Sequence, residues 1–175
     1  MKRLLPLLVI AALVLSACAK KENTTAPVDT GDNTSSKNSF VVNGNGYSNT
    51  SFRAFNDDET AFAARDNESS GGAITYSGTI GNNSTNIFAL TIVVDDVRTG
   101  TFTEENSLVT IVTTNGTTMT GRFVVVDGTV TVSQWDDVGG RCKGTFSGTA
   151  TDPASGASIT IASGKFDTRV VDTIE

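Results

Sequence analysis

From Ser39 onward the chain is a succession of short β-rich runs cut by glycine, asparagine and aspartate, and no window in it sustains a helical period. That punctuation limits the fold more than any other feature. The runs SFVV, YSNTSFRAF, TAFAAR, AITYSGTI, NIFALTIVV, GTFTE, SLVTIVTT, TTMTGRFVVV, TVTVSQW, CKGTFSGTAT and ASITIASGKFD are separated by such turns as Asn43-Gly44-Asn45-Gly46, Gly81-Asn82-Asn83 and Asp152-Pro153. About ten strands at regular spacing, joined by consecutive tight turns, imply an all-β domain. The expected architecture is a single antiparallel meander forming a β-sandwich or flattened barrel.

Two dipeptides make the register testable. Asn115-Gly116 and Asp127-Gly128 tolerate the positive φ values of two-residue hairpin turns. Folding about the first pairs Val112 with Met119 and Leu108 with Phe123. Folding about the second pairs Val125 with Val130 and Phe123 with Val132. Together they send Leu108, Val112, Met119, Phe123, Val125, Val130 and Val132 to one face, and Thr120, Arg122, Thr131 and Ser133 to the other. The run Ile87 to Val94 is apolar on both parities, so it is expected to lie centrally, covered on both faces. Between Ile161 and Phe166 the apolar parity changes, and Gly164 can admit the bulge this requires.

The amino-terminal residues read differently. Met1-Lys2-Arg3 is a basic start, Leu4 to Leu15 is an apolar stretch too short to span a bilayer, and Ser16-Ala17 are the small residues of a cleavage site. The quartet Leu15-Ser16-Ala17-Cys18 resembles the lipobox of bacterial lipoproteins. That resemblance implies a diacylglycerol on the Cys18 sulfur, cleavage before it, and acyl chains, palmitate among them, holding the mature terminus to a membrane. Ala19 stands where an aspartate favours inner-membrane retention in enterobacterial lipoproteins. The resemblance therefore implies a lipid-anchored outer-membrane protein, on the periplasmic or the cell-surface leaflet. Residues 1–17 are then the signal peptide, 18–38 the lipidated cysteine with a polar tether that cannot bury enough surface to fold, and 39–175 the β-domain.

Composition narrows the chemistry. Without Lys2 and Arg3 the chain keeps 11 basic residues against 19 acidic ones, a formal charge of −8 that argues against a nucleic-acid partner. The chain contains no histidine, which removes the commonest general base, nucleophile partner and zinc ligand. With Cys18 acylated, Cys142 has no disulfide partner. It shares a strand parity with Phe146 and Ala150 and reads as a buried small hydrophobe. The acid pairs Asp57-Asp58, Asp95-Asp96 and Asp136-Asp137 sit at turns, and adjacent strand residues point to opposite faces. No calcium loop, nucleophile elbow or phosphate loop is present. These features predict no catalytic residue, no metal and no cofactor.

The segment GTVTVSQWDDVGGRCKGTFSGTATDPASGASITIASGKFD, residues 128–167, resembles the closing segment of a family of uncharacterised Gram-negative, Bacteroidota-type lipoproteins. Those proteins pair a lipobox with a β-domain ending in a GTVTI…GTFSG…ITxGxF pattern. The resemblance implies a cell-envelope β-domain and carries no activity. Trp135, Tyr47 and Tyr76 are the aromatic residues available for ligand contact, and a regular strand would put Trp135 on the outer face with Thr131 and Ser133. Two functions fit: a non-enzymatic envelope module that contacts a protein or glycan, or a lipocalin-like carrier of a small apolar ligand with a cavity inside a closed barrel.

Overall fold

The computed structural model describes residues 36–56, 59–66 and 69–172. The signal segment 1–17, Cys18, the tether to residue 35 and the pair Asp57-Asp58 lie outside the described residues.

Ten strands make up the domain, with no helix among the described residues. They are β1 (Ser39–Gly44), β2 (Tyr47–Ala54), β3 (Ala61–Arg65), β4 (Gly72–Ile80), β5 (Asn83–Val94), β6 (Gly100–Thr103), β7 (Ser107–Asn115), β8 (Thr118–Trp135), β9 (Arg141–Thr151) and β10 (Ser158–Val170). Eight of them form a ring in the order β1-β2-β4-β5-β7-β8-β9-β10, which closes where β10 pairs with β1. The expected flattened barrel is thus a closed one. The two remaining strands are continuations. β2 and β3 both run antiparallel to β4, so they are one stave in two pieces, the first ending at Ala54 and the second starting at Ala61. Across the break the Phe55 N–H donates to the Ser77 carbonyl at 3.1 Å, and the Ser77 N–H to the Thr60 carbonyl at 3.3 Å. In the same way β6 and β7 lie end to end along the 18-residue β8.

The barrel closes by two different means at its two ends. β1 lies antiparallel to both neighbours, so β2 and β10 run in the same direction. Below Ser39, where β1 has not yet begun, β3 reaches β10 directly and pairs with it in parallel, Phe62 opposite Arg169 and Ala63 opposite Val170. This short ladder departs from the expected all-antiparallel order, and it follows from β1 being shorter than the staves beside it. Asn38 fills the fork between the two arrangements. It is fully buried, its side-chain carbonyl accepts from the Asp167 N–H at 2.9 Å, and its amide donates to the Asp167 carbonyl at 3.3 Å. A side chain here replaces the peptide group that another residue of β1 would have supplied.

Turn chemistry sets most of the hairpins. Asn45 and Gly46, with φ of 48° and 84°, make the two-residue β1–β2 turn, and Gly81 at φ 62° opens the β4–β5 turn. The expected register of β7 and β8 is not the one observed. Gly116 and Thr117, rather than Asn115 and Gly116, occupy the turn, and a bulge between Thr113 and Thr114 shifts the pairing further. Val109, Ile111 and Phe123 therefore point inward. Leu108 and Val112 face outward, half-buried, and Met119 is 64 % exposed. Asp127-Gly128 forms no hairpin: β8 runs through it, with a bulge between Val125 and Asp127. A Cβ at Gly128 would collide with the Ser147 carbonyl across the ladder, and Gly148 opposite holds φ 154°. The aspartate-glycine signal thus marks a close approach of β8 and β9 instead of a turn. The expected bulge near Gly164 is present, between Ile161 and Gly164, with Ser163 at φ 54°.

Inward residues pack the barrel throughout. Phe40 lies 4.7 Å from Phe52, 5.2 Å from Phe88 and 5.6 Å from Phe146, and Tyr76 meets Phe88 edge-on at 5.8 Å. Each such ring removes roughly 150–250 Å² from water, and this burial supplies most of the drive to close the ring. On β5 only Phe88, Leu90, Ile92 and Val94 are buried. Ile87, Ala89, Thr91 and Val93 form an uncharged outer wall, half-buried. The expectation that both faces of this run are covered fails because a barrel has no second layer outside it.

Candidate functional site

The three aromatic residues singled out for ligand contact are not brought together. Tyr76 is fully buried in the ring cluster. Tyr47 follows the β1–β2 turn and stacks edge-on against Phe52 at 5.3 Å, half-buried. Burial pushes its hydroxyl pKa up, with a hydrogen bond from Thr113 acting in the opposite sense. Trp135 lies at the other end of the barrel, where its ring abuts Gly72 so closely that a Cβ there would stand 2.7 Å from indole Cη2. The expected outward orientation of Trp135 is corrected by a bulge between Val132 and Gln134, which adds a residue and turns the indole inward opposite Cys142. Its Nε1–H and the Thr168 hydroxyl are buried side-chain groups without a hydrogen-bond partner.

Cys142 is fully buried between Trp135 on β8 and Thr168 on β10. Burial first, and then the Asp136 and Asp167 carboxylates, push its thiol up to about 12. A thiol held in that form is neither a nucleophile nor a metal ligand near neutral pH.

The described acid pairs hold turns. Asp136 accepts from the Arg141 N–H at 2.9 Å and from the Gln134 amide at 2.7 Å. These bonds close the β8–β9 loop and keep its carboxyl below the usual range. Asp137 reaches Arg65 at 3.3 Å, and Asp96 reaches Arg98 at 2.9 Å, whose guanidinium also lies 5.1 Å from the Phe102 ring centroid. Asp152 caps the β9–β10 turn by accepting from the Ala154 N–H at 2.8 Å, which lowers its pKa. Among the described residues no three acids, cysteines or histidines gather in metal-binding geometry.

The outer wall of β8, β9 and β10 does form a site. Strand register sets out its grid: Thr131 opposite Thr145 opposite Lys165 in one row, and Gln134 opposite Lys143 opposite Asp167 in the next. With Lys37 at the head of the domain, all of these residues except Gln134 border an open groove of about 310 Å³. Asp167 is shared by Arg141, whose Nε donates at 2.7 Å, and Lys143, whose Nζ stands 3.8 Å away. Ser133 donates to the Lys143 carbonyl at 3.2 Å. The outward parity of Lys143 and Thr145 is readable in the sequence. Their meeting with Lys165 and Lys37 is not, because it depends on the β9–β10 register and on the path by which the chain enters the barrel.

This arrangement can hold an anion between ammonium groups and hydroxyls, with the Asp167 carboxylate tied to Arg141 and Lys143. The chain matches no family model, no curated protein and no solved structure.

Proposed function

We propose that the protein is a lipid-anchored lipoprotein of the outer membrane, and that its barrel is a non-enzymatic module contacting an envelope protein or glycan through the outer wall. The observation that carries this reading is the filled interior. Phe40, Phe52, Tyr76 and Phe88 occupy the space a carried ligand would need. Of the two functions the sequence allows, the lipocalin-like carrier is therefore the weaker, and contact through the wall is left. The protonated Cys142 thiol and the turn-holding aspartates add support for a role without catalysis. The lipobox at Leu15 to Cys18 supports the anchor. Signal-peptidase inhibition with globomycin should make the precursor accumulate, and the mass of the wild-type mature chain should include a diacylglyceryl group that Cys18→Ser lacks. Processing that ignores both perturbations, with a lipid-free mature terminus, refutes the anchor.

A further inference from the structure

Residues 36–175 contain nine Lys and Arg side chains against sixteen Asp and Glu. Four of the nine, Arg141, Lys143, Lys165 and Arg169, point outward from β9 and β10, and Lys37 joins them at the groove. Asp167 is the one carboxylate on either strand. A domain of net negative charge has thus gathered more than half of its cations on one wall, where mutual repulsion opposes their assembly. Nothing in the packing demands this. The barrel interior is apolar, and outward positions of these strands fold equally well as threonine or serine, as Thr145, Ser147 and Thr149 demonstrate.

We infer that the groove bordered by Lys37, Lys143 and Lys165 binds phosphate groups. Ammonium groups bind phosphate as point charges without needing the paired geometry of a guanidinium. The Thr145 hydroxyl provides a donor to a remaining phosphate oxygen, and the Thr131 hydroxyl a second when Thr101 donates to it, while the Ser133 proton stays on the Lys143 carbonyl. Asp167 neutralises part of the cluster, holding Arg141 against the wall and standing 3.8 Å from Lys143, so it competes with the ligand for Lys143. The groove is open and shallow, which suits a phosphate displayed on something larger: a soluble phosphorylated sugar or a lipid headgroup. This rests on the reading of the outer wall as the contact surface and gives that surface a chemistry.

The test uses the full chain carrying Cys18→Ser, so that acylation contributes to no arm, with each further substitution made in that same background. Pyrophosphate titrated into 15N-labelled protein should move the amide signals of Thr131, Lys143, Thr145 and Lys165 saturably. The double variant K143Q/K165Q should bind at least about tenfold more weakly, and Asp167→Asn, which removes the competing carboxylate, more tightly. Arg122→Gln, at the distant end of β8, should bind as the parent does. Unchanged melting temperatures would exclude unfolding as the cause of a loss. The source of the phosphate is read in a second arm. Retention on phosphatidylglycerol vesicles without a pyrophosphate response assigns a headgroup, and a pyrophosphate response without vesicle retention assigns a soluble ester. No response in either arm, or equal losses in R122Q and K143Q/K165Q, overturns the inference. So does retention on polygalacturonate alone, which would assign the wall to carboxylate-bearing glycans and leave the contact-module reading standing.

Discussion

Asn38→Ala is expected to destabilise the barrel beyond what its position, just before the first strand, would suggest. The substitution deletes an acceptor 2.9 Å from the Asp167 N–H and a donor 3.3 Å from the Asp167 carbonyl, at a residue with no solvent exposure. Each backbone group left without a partner costs about 1–3 kcal/mol when water cannot reach it. The Asp167 carbonyl keeps the Arg141 guanidinium as a donor, so only the Asp167 N–H is orphaned. The Asp167 side chain is 27 % exposed, so some water enters the vacated space and the lower half of the range applies, about 1–2 kcal/mol. The backbone carbonyl of residue 38 continues to accept from the Ala54 N–H, so β1 itself is not released. In urea, with a slope of about 2 kcal/mol/M for a domain of this size, the midpoint should fall by roughly 0.5–1 M at unchanged slope. Asn38→Asp keeps the acceptor but sets a second oxygen against the Asp167 carbonyl and buries a carboxylate, so near neutral pH it should be no more stable than Asn38→Ala. A shift below about 0.3 M for Asn38→Ala, or an Asn38→Asp midpoint equal to the parent's, would refute the idea that this amide stands in for a strand peptide.

The remaining predictions concern Cys142 and Trp135, at the same end of the barrel as Asn38. The Cys142 thiol, raised to about 12 by burial and two carboxylates, favours its protonated form when folded, so its contribution to stability is complete below pH 9 and declines as the pH rises from 9 towards 12. Native protein should resist a thiol-specific alkylating agent at pH 8 and react promptly in denaturant; fast native labelling would contradict the burial. Trp135→Phe removes a buried N–H that has no partner, so its urea midpoint should shift by less than an equivalent of about 1 kcal/mol despite the lost ring area. A loss above about 3 kcal/mol would mean the indole nitrogen is bonded in solution.

Legibility differed by kind of information. The all-β class and the closing bulge at Gly164 were readable because period-two spacing and turn residues act locally. The inward faces of Phe123, Val125, Val130 and Val132 are readable as well, although a bulge produces them and not the expected hairpin. A two-residue turn and a one-residue bulge both switch the inward parity, so FVVVDGTVTV fits either, and only the neighbouring strand decides. The inward Trp135 was missed for a related reason, since the bulge beside Ser133 carries no glycine or proline to announce it. Met119 was misplaced when Gly116 took the first position of the turn. The cationic wall was legible only in halves, as outward parities on separate strands, because no local rule brings Lys37 beside Lys165.

The way β1 is held has a mechanical consequence. Flanked on both sides by hydrogen-bonded partners and continued by the buried Asn38, it is braced laterally just where the chain leaves for residue 35. A pull delivered through that end loads both ladders lengthwise, in shear, so their bonds must fail together. A pull across the stave where β2 ends at Ala54 would peel its bonds one after another. Single-molecule extension should therefore need the larger force when the handle is amino-terminal, and equal forces would show that the bracing is not felt.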